Sequence, residues 1–587
     1  MTMADDPFEH LHDEDYAAAY AGKRVGYRDL VCTAGRKRIS LDGMWRFTPD
    51  LFDEGLRQRW FADDDRPPEE WTVPRDYDVD GAAELPVPGC WTMARPEWRF
   101  FEGAGWYARD FAWDQSAPRL VLRVGAANYA ALVFLNGIFV ASHRGGSTPF
   151  CVELTAHVWP GRNRLLIQVD NRRRADRVPM HHFDWANDGG LYRSVELLPL
   201  PSCFIRGLTF SLAAGGVSIA INLSDPVSGL AHADIGGLAA VAIEVVDGHG
   251  EITIPVSPEL WSPDLPRRYV VRVQFGQDEL TDTIGFRTLA VRGTDILLNG
   301  QSIYLRGVCV HEDDASLGRV TDDADIRRRF AHAKELGCNF LRLAHYPHHE
   351  RVAEIADEVG LLLWAEIPVY WAIDFANPDT YADAENQLLE LVERDRNRAS
   401  VILWGVGNEN ADTDARYRFM SDLASAARSA DPSRLVAAAC LINRDRFAIE
   451  DRLAAHLDVI GLNEYFGWYE PDFTGLRRLL QNSHPDRPVL ISEVGADALA
   501  GYRGGVRELF TEDCQADVYR RQIEIVSGVP WLRGFCAWLL YDFRSERRQT
   551  RFAGGFNRKG LIAEDKSKRK LAFETLRHWY TRIDSGA

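Results

Sequence analysis

At 587 residues the chain is too long for one hydrophobic core and, at roughly 100 to 200 residues per domain, points to three or four domains. Its 46% hydrophobic and 26% charged residues describe a folded globular protein rather than a disordered one, and a net charge of −18 argues against nucleic acid or an anionic membrane as partner, since both are gripped by clustered Lys and Arg. The nine cysteines are scattered, odd in number and without a Cys-x-x-Cys pair, which indicates reduced thiols rather than a disulfide framework or a zinc knuckle.

In chain order, residues 1–7 are acidic and lack the segments of a secretory signal, and no run of 18 apolar residues occurs, so a cytoplasmic protein with no membrane role is expected. From about 40 to 200, short alternating runs such as 119–124, 131–135 and 164–169 are punctuated by Gly, Pro and Asn, with Asn136-Gly137 a hairpin signal. That rhythm predicts an all-β sandwich with no helix of normal length. A second β pattern over residues 201–290, with runs at 217–221, 240–245 and 268–273, suits an immunoglobulin-like sandwich that lacks the antibody Cys pair.

After residue 294 apolar runs alternate with segments of helical period. Strands are predicted at 303–308, 339–344, 361–365, 401–406, 435–439, 459–462, 489–492 and 534–540. Between them, Ile326, Phe330 and Ala333 share one helical face before Gly337, and Val352, Ile355, Ala356 and Val359 share another before Gly360, placed as a C-terminal cap. Eight such units indicate a (β/α)8 barrel, whose functional groups follow the C-terminal strand ends. The residues there are polar or aromatic: His311, Glu312 and Asp313; His345 and Tyr346; Glu366; Asn408 and Glu409; Asn463 and Tyr465; Glu493; Trp538, Tyr541 and Asp542.

Glu409 and Glu493 each close a strongly apolar run, where an unused carboxylate is costly to desolvate. Two carboxylates facing each other across a barrel mouth are what cleavage of a glycosidic bond needs, one protonated and one ionised; the bland alternative is a salt-bridged structural Glu at each position. A gap of about 5 to 5.5 Å between them would mean retention of configuration and roughly 6.5 to 9.5 Å inversion. Asn408 is suited to a sugar hydroxyl, and Tyr465 to holding one carboxylate ionised. Other signals read as structural. His345, His348 and His349 fit a site wall with surface histidines and no metal, residues 566–570 (KSKRK) a solvated helix face, and Gly145-Gly146 and Gly189-Gly190 ordinary turns.

Gly407-Asn408-Glu409, Ile491 to Asp497 (ISEVGAD), Leu305-Arg306-Gly307 leading to His311-Glu312-Asp313, and Asn339 to Tyr346 (NFLRLAHY) resemble glycoside hydrolase family 2. So do Gly105-Trp106-Tyr107, Asn187 to Arg193 (NDGGLYR), Leu260 to Pro263 (LWSP) and Ile284 to Arg287 (IGFR), over nearly the whole chain. The resemblance implies a jelly-roll sugar-binding β domain over 1–200, an immunoglobulin-like β-sandwich over 201–290 and a catalytic TIM barrel over 291–587. It also implies a retaining exo-β-glycosidase acting by double displacement, with Glu409 as acid/base, Glu493 as nucleophile and no cofactor. Its partner would be a small-molecule or oligosaccharide β-glycoside, and dimers or tetramers are common in this architecture. Within the family, Asn463 to Tyr469 (NEYFGWY), Glu493 to Gly501 (EVGADALAG) and Asn557-Arg558-Lys559 are similar to β-glucuronidases, which implies that Asn557 and Lys559 hold a C6 carboxylate. By the same matching Tyr469 and Arg551 support that carboxylate, Asp184 reaches sugar hydroxyls from the β domain, His311 and Asn463 line the site, and Trp538 forms a platform under the ring. Val310 and Glu464 stand where glucuronidases carry Arg, and an acid at 464 is expected to repel a carboxylate. β-Galacturonidase and β-galactosidase are the alternatives within the family, and a non-catalytic carbohydrate-binding protein the alternative outside it.

Overall fold

The computed structural model describes residues 20, 23–62 and 79–584; residues 1–7 lie outside them. The first third is a two-sheet sandwich. Six strands run in the order Ala83–Val87, Gly43–Asp50, Ala104–Trp113, Gly161–Asp170, Ala130–Leu135, Ile138–Arg144, against a four-stranded sheet of Ile39–Ser40, Val195–Leu200, Arg119–Val124 and Phe150–Glu153. Alternation along each strand sends Trp45, Tyr107, Leu122, Val133 and Ile167 into one core between the sheets. Asn136 and Gly137 have φ 52° and 78°, the two positive values a tight hairpin turn requires, and join adjacent antiparallel strands. The longest α-helix described in this part is Trp91–Ala94.

The immunoglobulin-like part pairs Ile205–Ala213, Gly216–Leu223 and His249–Ile254 in one sheet, and Ala239–Val245, Gly229–Ile235, Tyr269–Phe275 and Asp278–Ile284 in the other. Ile219, Ala231 and Val271 meet between them.

The rest closes into an eight-stranded parallel barrel: Leu305–Val310, Phe340–Leu343, Leu362–Glu366, Val401–Asn408, Leu435–Cys440, Val459–Asn463, Val489–Val494 and Leu532–Ala537. Every residue of the fourth strand is buried, so a continuous apolar run rather than alternation marks it. The first strand begins two residues later than periodicity predicts, because Gln301–Ile303 pairs instead in a small antiparallel sheet with Leu289–Arg292 and Asp295–Leu298. The eighth ends at Ala537, and the Trp538 amide then donates to the Val494 carbonyl across the barrel end (2.8 Å). Helix Asp323–Leu336 starts at Asp322, whose side chain accepts from the Asp325 amide, a cap worth about 1 kcal/mol, and stops at Gly337 in the left-handed region. Helix Glu350–Val359 stops the same way at Gly360.

Two surface expectations are overturned. Lys566 and Lys570 are buried rather than on a solvated face: Lys566 bonds Asp314 and Asp325 (both 2.8 Å), and Lys570 bonds both oxygens of Asp542 (2.7 and 3.0 Å) and the carbonyls of Ala498 and Arg558. These acids are remote in sequence, so the charge run alone could not reveal them. His348 is likewise buried, against the Ala344 carbonyl (3.1 Å), and His349 caps the next helix through its ring. No helix among the described residues is long and apolar enough to cross a membrane, and all nine cysteines are free.

Buried polar contacts fix the β parts on the barrel. Arg193 donates to Glu312 (2.7 Å), which also accepts from the His349 amide. Arg287 donates to the carbonyls of Ala399, Val401 and Ser433 beneath the barrel, and the Trp261 indole to that of Asp357. Arg544 bridges Asp188 of the first sandwich and Asp313 of the barrel. A loop of that sandwich therefore reaches over the barrel mouth, where Trp185 packs edge-on against Tyr370 and Tyr346 and beside His345.

Candidate active site

Glu493 sits in the seventh strand, one residue from its end, and Glu409 one residue past the fourth. The fourth strand breaks register between Gly405 and Asn408, and Glu409 takes φ 52°, which turns its side chain out of the ladder. Gly405 is required there, since a Cβ would collide with the Trp364 indole and the Glu366 side chain.

Arg342, fully buried in the second strand, organises the charges. It donates to Glu493 Oε1 (2.8 Å), to both oxygens of Glu366 (each 3.0 Å) and to Asn408 Oδ1 (2.7 Å). Tyr465 donates to the other Glu493 oxygen (2.7 Å). Burial pushes the Glu493 carboxyl up, to about 8; Arg342 pulls it down, Glu409 adds to the rise and the Tyr465 bond opposes it. Burial and Arg342 hold His345 neutral, with Nδ1 2.8 Å from Glu366.

Glu409 is half-buried. Trp371 Nε1 donates to its Oε2 (2.7 Å) and Asn463 Nδ2 to its Oε1 (3.1 Å). Asn463 also donates to Asn408 Oδ1 (3.1 Å) and accepts from Ser492 (2.7 Å), tying the two carboxylates into one network. Asn408 Nδ2 is buried and finds no partner among the described residues. His311 Nδ1 lies 3.1 Å from the Tyr346 hydroxyl, and its ring stacks on Phe543. Trp538 stacks on His345 (4.9 Å) and edges His311, forming an aromatic wall.

A second cluster adjoins this one. Lys559, 1% exposed, bonds Asp497 (2.6 Å) and the Tyr469 hydroxyl (2.9 Å), and its Nζ lies 5.7 Å from the ring centre of Tyr465. Arg548 reaches the same hydroxyl (3.4 Å) and pairs with Asp184, which also accepts from Ser545 and, at 3.4 Å, from Asn557. Asp184 thus does enter the mouth from the β sandwich, but as the partner of an arginine. Arg551 does not join the cluster: it is exposed, with its guanidinium over Phe552. Glu464 is turned away, accepting from the Phe466 amide and Gln522, and burial pushes it up to about 8. Its bonds to the Phe466 amide and Gln522 hold it apart from the Lys559 cluster, where it was expected to repel a carboxylate.

Sequence does not single out Arg342, Trp371 or Arg548. The one available signal is a lone Arg inside the apolar run FLRL. Trp371 and Arg548 lie in loops without periodicity. Elsewhere, a cavity of about 590 Å³ opens between the three parts, lined by ion-paired groups such as Arg123, Glu350 and Arg398; neither carboxylate of the pair borders it. Among the described residues no group of three His, Cys, Asp or Glu is placed to hold a metal ion.

The model of the glycosyl hydrolases family 2 TIM barrel domain matches residues 289–585, and that of the family's sugar binding domain residues 39–201. A β-glucuronidase from Paenibacillus borealis is 28% identical over 93% of this chain and 97% of its own. A GH2 β-galacturonidase from Eisenbergiella tayi superposes with a TM-score of 0.80 at 25% identity, covering 96% of this chain and 98% of that one. A β-glucuronidase from an uncultured Clostridium sp. gives 0.82 at 25%, covering 94% and 98%.

Proposed function

The chain belongs to glycoside hydrolase family 2 and is a glycoside hydrolase, and from that premise we propose that it is a retaining exo-enzyme for terminal β-D-glucuronides. Glu493 attacks the anomeric carbon while Glu409 gives its proton to the glycosidic oxygen, so the aglycone leaves neutral and a glycosyl ester forms on Glu493. Glu409 then takes a proton from water, which attacks the same carbon and frees Glu493. The observation that carries this division is the unequal donor set: a permanently charged guanidinium faces Glu493, and only neutral donors face Glu409. Arg342 and Tyr465 both donate to Glu493 and so favour its ionised form, the form that attacks. The unpartnered Asn408 amide is a ready donor for a ring hydroxyl, since a buried N–H left unpaired costs about 1–3 kcal/mol.

The uronate preference rests on Lys559. An ammonium has three N–H donors; Asp497 and Tyr469 take two, and the third suits a C6 carboxylate, with Arg548 beside it. A β-galacturonide differs only at C4 and is the second reading, favoured by the Eisenbergiella tayi relative. A galactoside would leave Lys559 unused. A panel of 4-nitrophenyl β-glycosides tests the class. Lys559→Ala should cut kcat/KM on the uronide about 10- to 100-fold, the loss of one charge-assisted bond, and far less on the matched hexoside. Equal losses on both would reject carboxylate recognition by Lys559.

A further inference from the structure

Arg547, on the loop after the eighth barrel strand, is exposed, and its guanidinium lies over the Trp371 ring, 4.8 Å from the ring centre. That indole is the donor to Glu409, and it is firmly placed. Tyr370 stacks on it (4.5 Å), its amide donates to the Asn408 carbonyl (2.9 Å), and its own carbonyl accepts from Asn410 (2.8 Å). Arg547 is thereby held beside Glu409, the side from which an acid meets the departing oxygen.

What distinguishes Arg547 is its place on the indole that serves Glu409, without a counter-ion; Arg551, which also has no ion pair among the described residues, lies over Phe552 instead. Among the described residues Arg547 makes no ion pair and no hydrogen bond, and its guanidinium rests on the ring. Arg548, the next residue, is paired with Asp184, and Arg173 with Glu102. In a chain of net charge −18, acids to pair with are plentiful. Stacking uses the face of the guanidinium and leaves its N–H edge free for a bidentate anion.

We propose that Arg547 is a specificity residue for the leaving group, and that the natural substrates carry an anionic group, a carboxylate or a sulfate, on the unit next to the cleaved bond, as acidic oligosaccharides do. This rests on the reading of Glu409 as the acid. Glu409 marks where the aglycone departs, and Arg547 supplies the charge that recognises it.

The test uses 3-carboxyphenyl, 3-sulfooxyphenyl and 3-carbamoylphenyl glycosides of whichever uronic acid the wild type prefers. The ratio of kcat/KM for each anionic aglycone over the carbamoyl one cancels the sugar's contribution. In Arg547→Gln this ratio should fall about fivefold, as expected for an exposed charge pair, and Arg547→Lys should restore part of it. Whether carboxylate or sulfate responds more identifies the anion. A ratio unchanged between wild type and Arg547→Gln overturns the proposal. Failure of the wild type on every uronide is a different result, and overturns the functional reading itself.

Discussion

Arg342 decides how the two acids differ. Its guanidinium is fully buried among Glu493, Glu366 and Asn408 and lies over the Trp364 ring (4.8 Å), so its charge is repaid only by those partners. Tyr465 does for the second Glu493 oxygen what Arg342 does for the first, and a pH profile can read it. The hydroxyl donates to the ionised form, so Tyr465→Phe should push a carboxyl already raised to about 8 higher still. In the proposed mechanism Glu493 attacks as the carboxylate, hence the acidic limb of kcat/KM should move to higher pH, with activity lost about 10-fold near pH 6 and less above the limb. A limb that stays in place would mean that Glu493 does not control it. At this scale the sequence was legible where chemistry breaks a pattern: Glu409 and Glu493 stand out because an acid ends a buried strand. It was silent where a partner is remote, as with Arg342 and its acids. Arg551 illustrates the same limit, since the family resemblance favoured it while the folded loop brings Arg548 to Asp184 and Tyr469.

Among the elements, the segment after the eighth strand carries the second cluster, and buried ion pairs rather than regular structure hold it. Lys570 bonds Asp542 and the Arg558 carbonyl, directly behind Lys559. Burial lifts the Asp542 carboxyl to about 6 even against Lys570 and Arg558. Lys570→Met should leave that carboxylate buried with one cation fewer, costing about 3–5 kcal/mol and lowering the melting temperature. The companion Asp542→Asn on that background should recover part of the loss. A melting curve unchanged by Lys570→Met would show the pair to be structurally idle. Periodicity recovered the eight barrel strands because strands buried on both faces are continuous apolar runs, and the helix stops because Gly337 and Gly360 take the left-handed conformation. It misplaced the first strand because Ile303 is as apolar as the residues that follow it, and only the pairing of residues 301–303 with 296–298 separates it from them. Lys566 and Lys570 were misread for the same reason: charge runs carry no record of distant carboxylates.

For the molecule as a whole, the site is made by two parts of the chain. The barrel supplies the acid pair, while the first sandwich sends Trp185 and Asp184 over its mouth and is locked there by Arg193 to Glu312 and by Arg544 between Asp188 and Asp313. The NDGGLYR motif spans Asp188 and Arg193, and so marks the docking of one part on another. The β rhythms and the strand and helix alternation carried the architecture, but not this contact between parts. The central claim is that Glu493 forms a covalent bond to the sugar while Glu409 handles the proton. Incubation with a 2-deoxy-2-fluoro-β-D-glucuronyl fluoride, whose glycosyl ester turns over slowly, followed by intact-mass measurement and peptide mapping, tests it most directly. The account predicts one fluoroglucuronyl unit per chain, attached at Glu493. An adduct on any other residue, or hydrolysis with inverted configuration and no adduct, would contradict it.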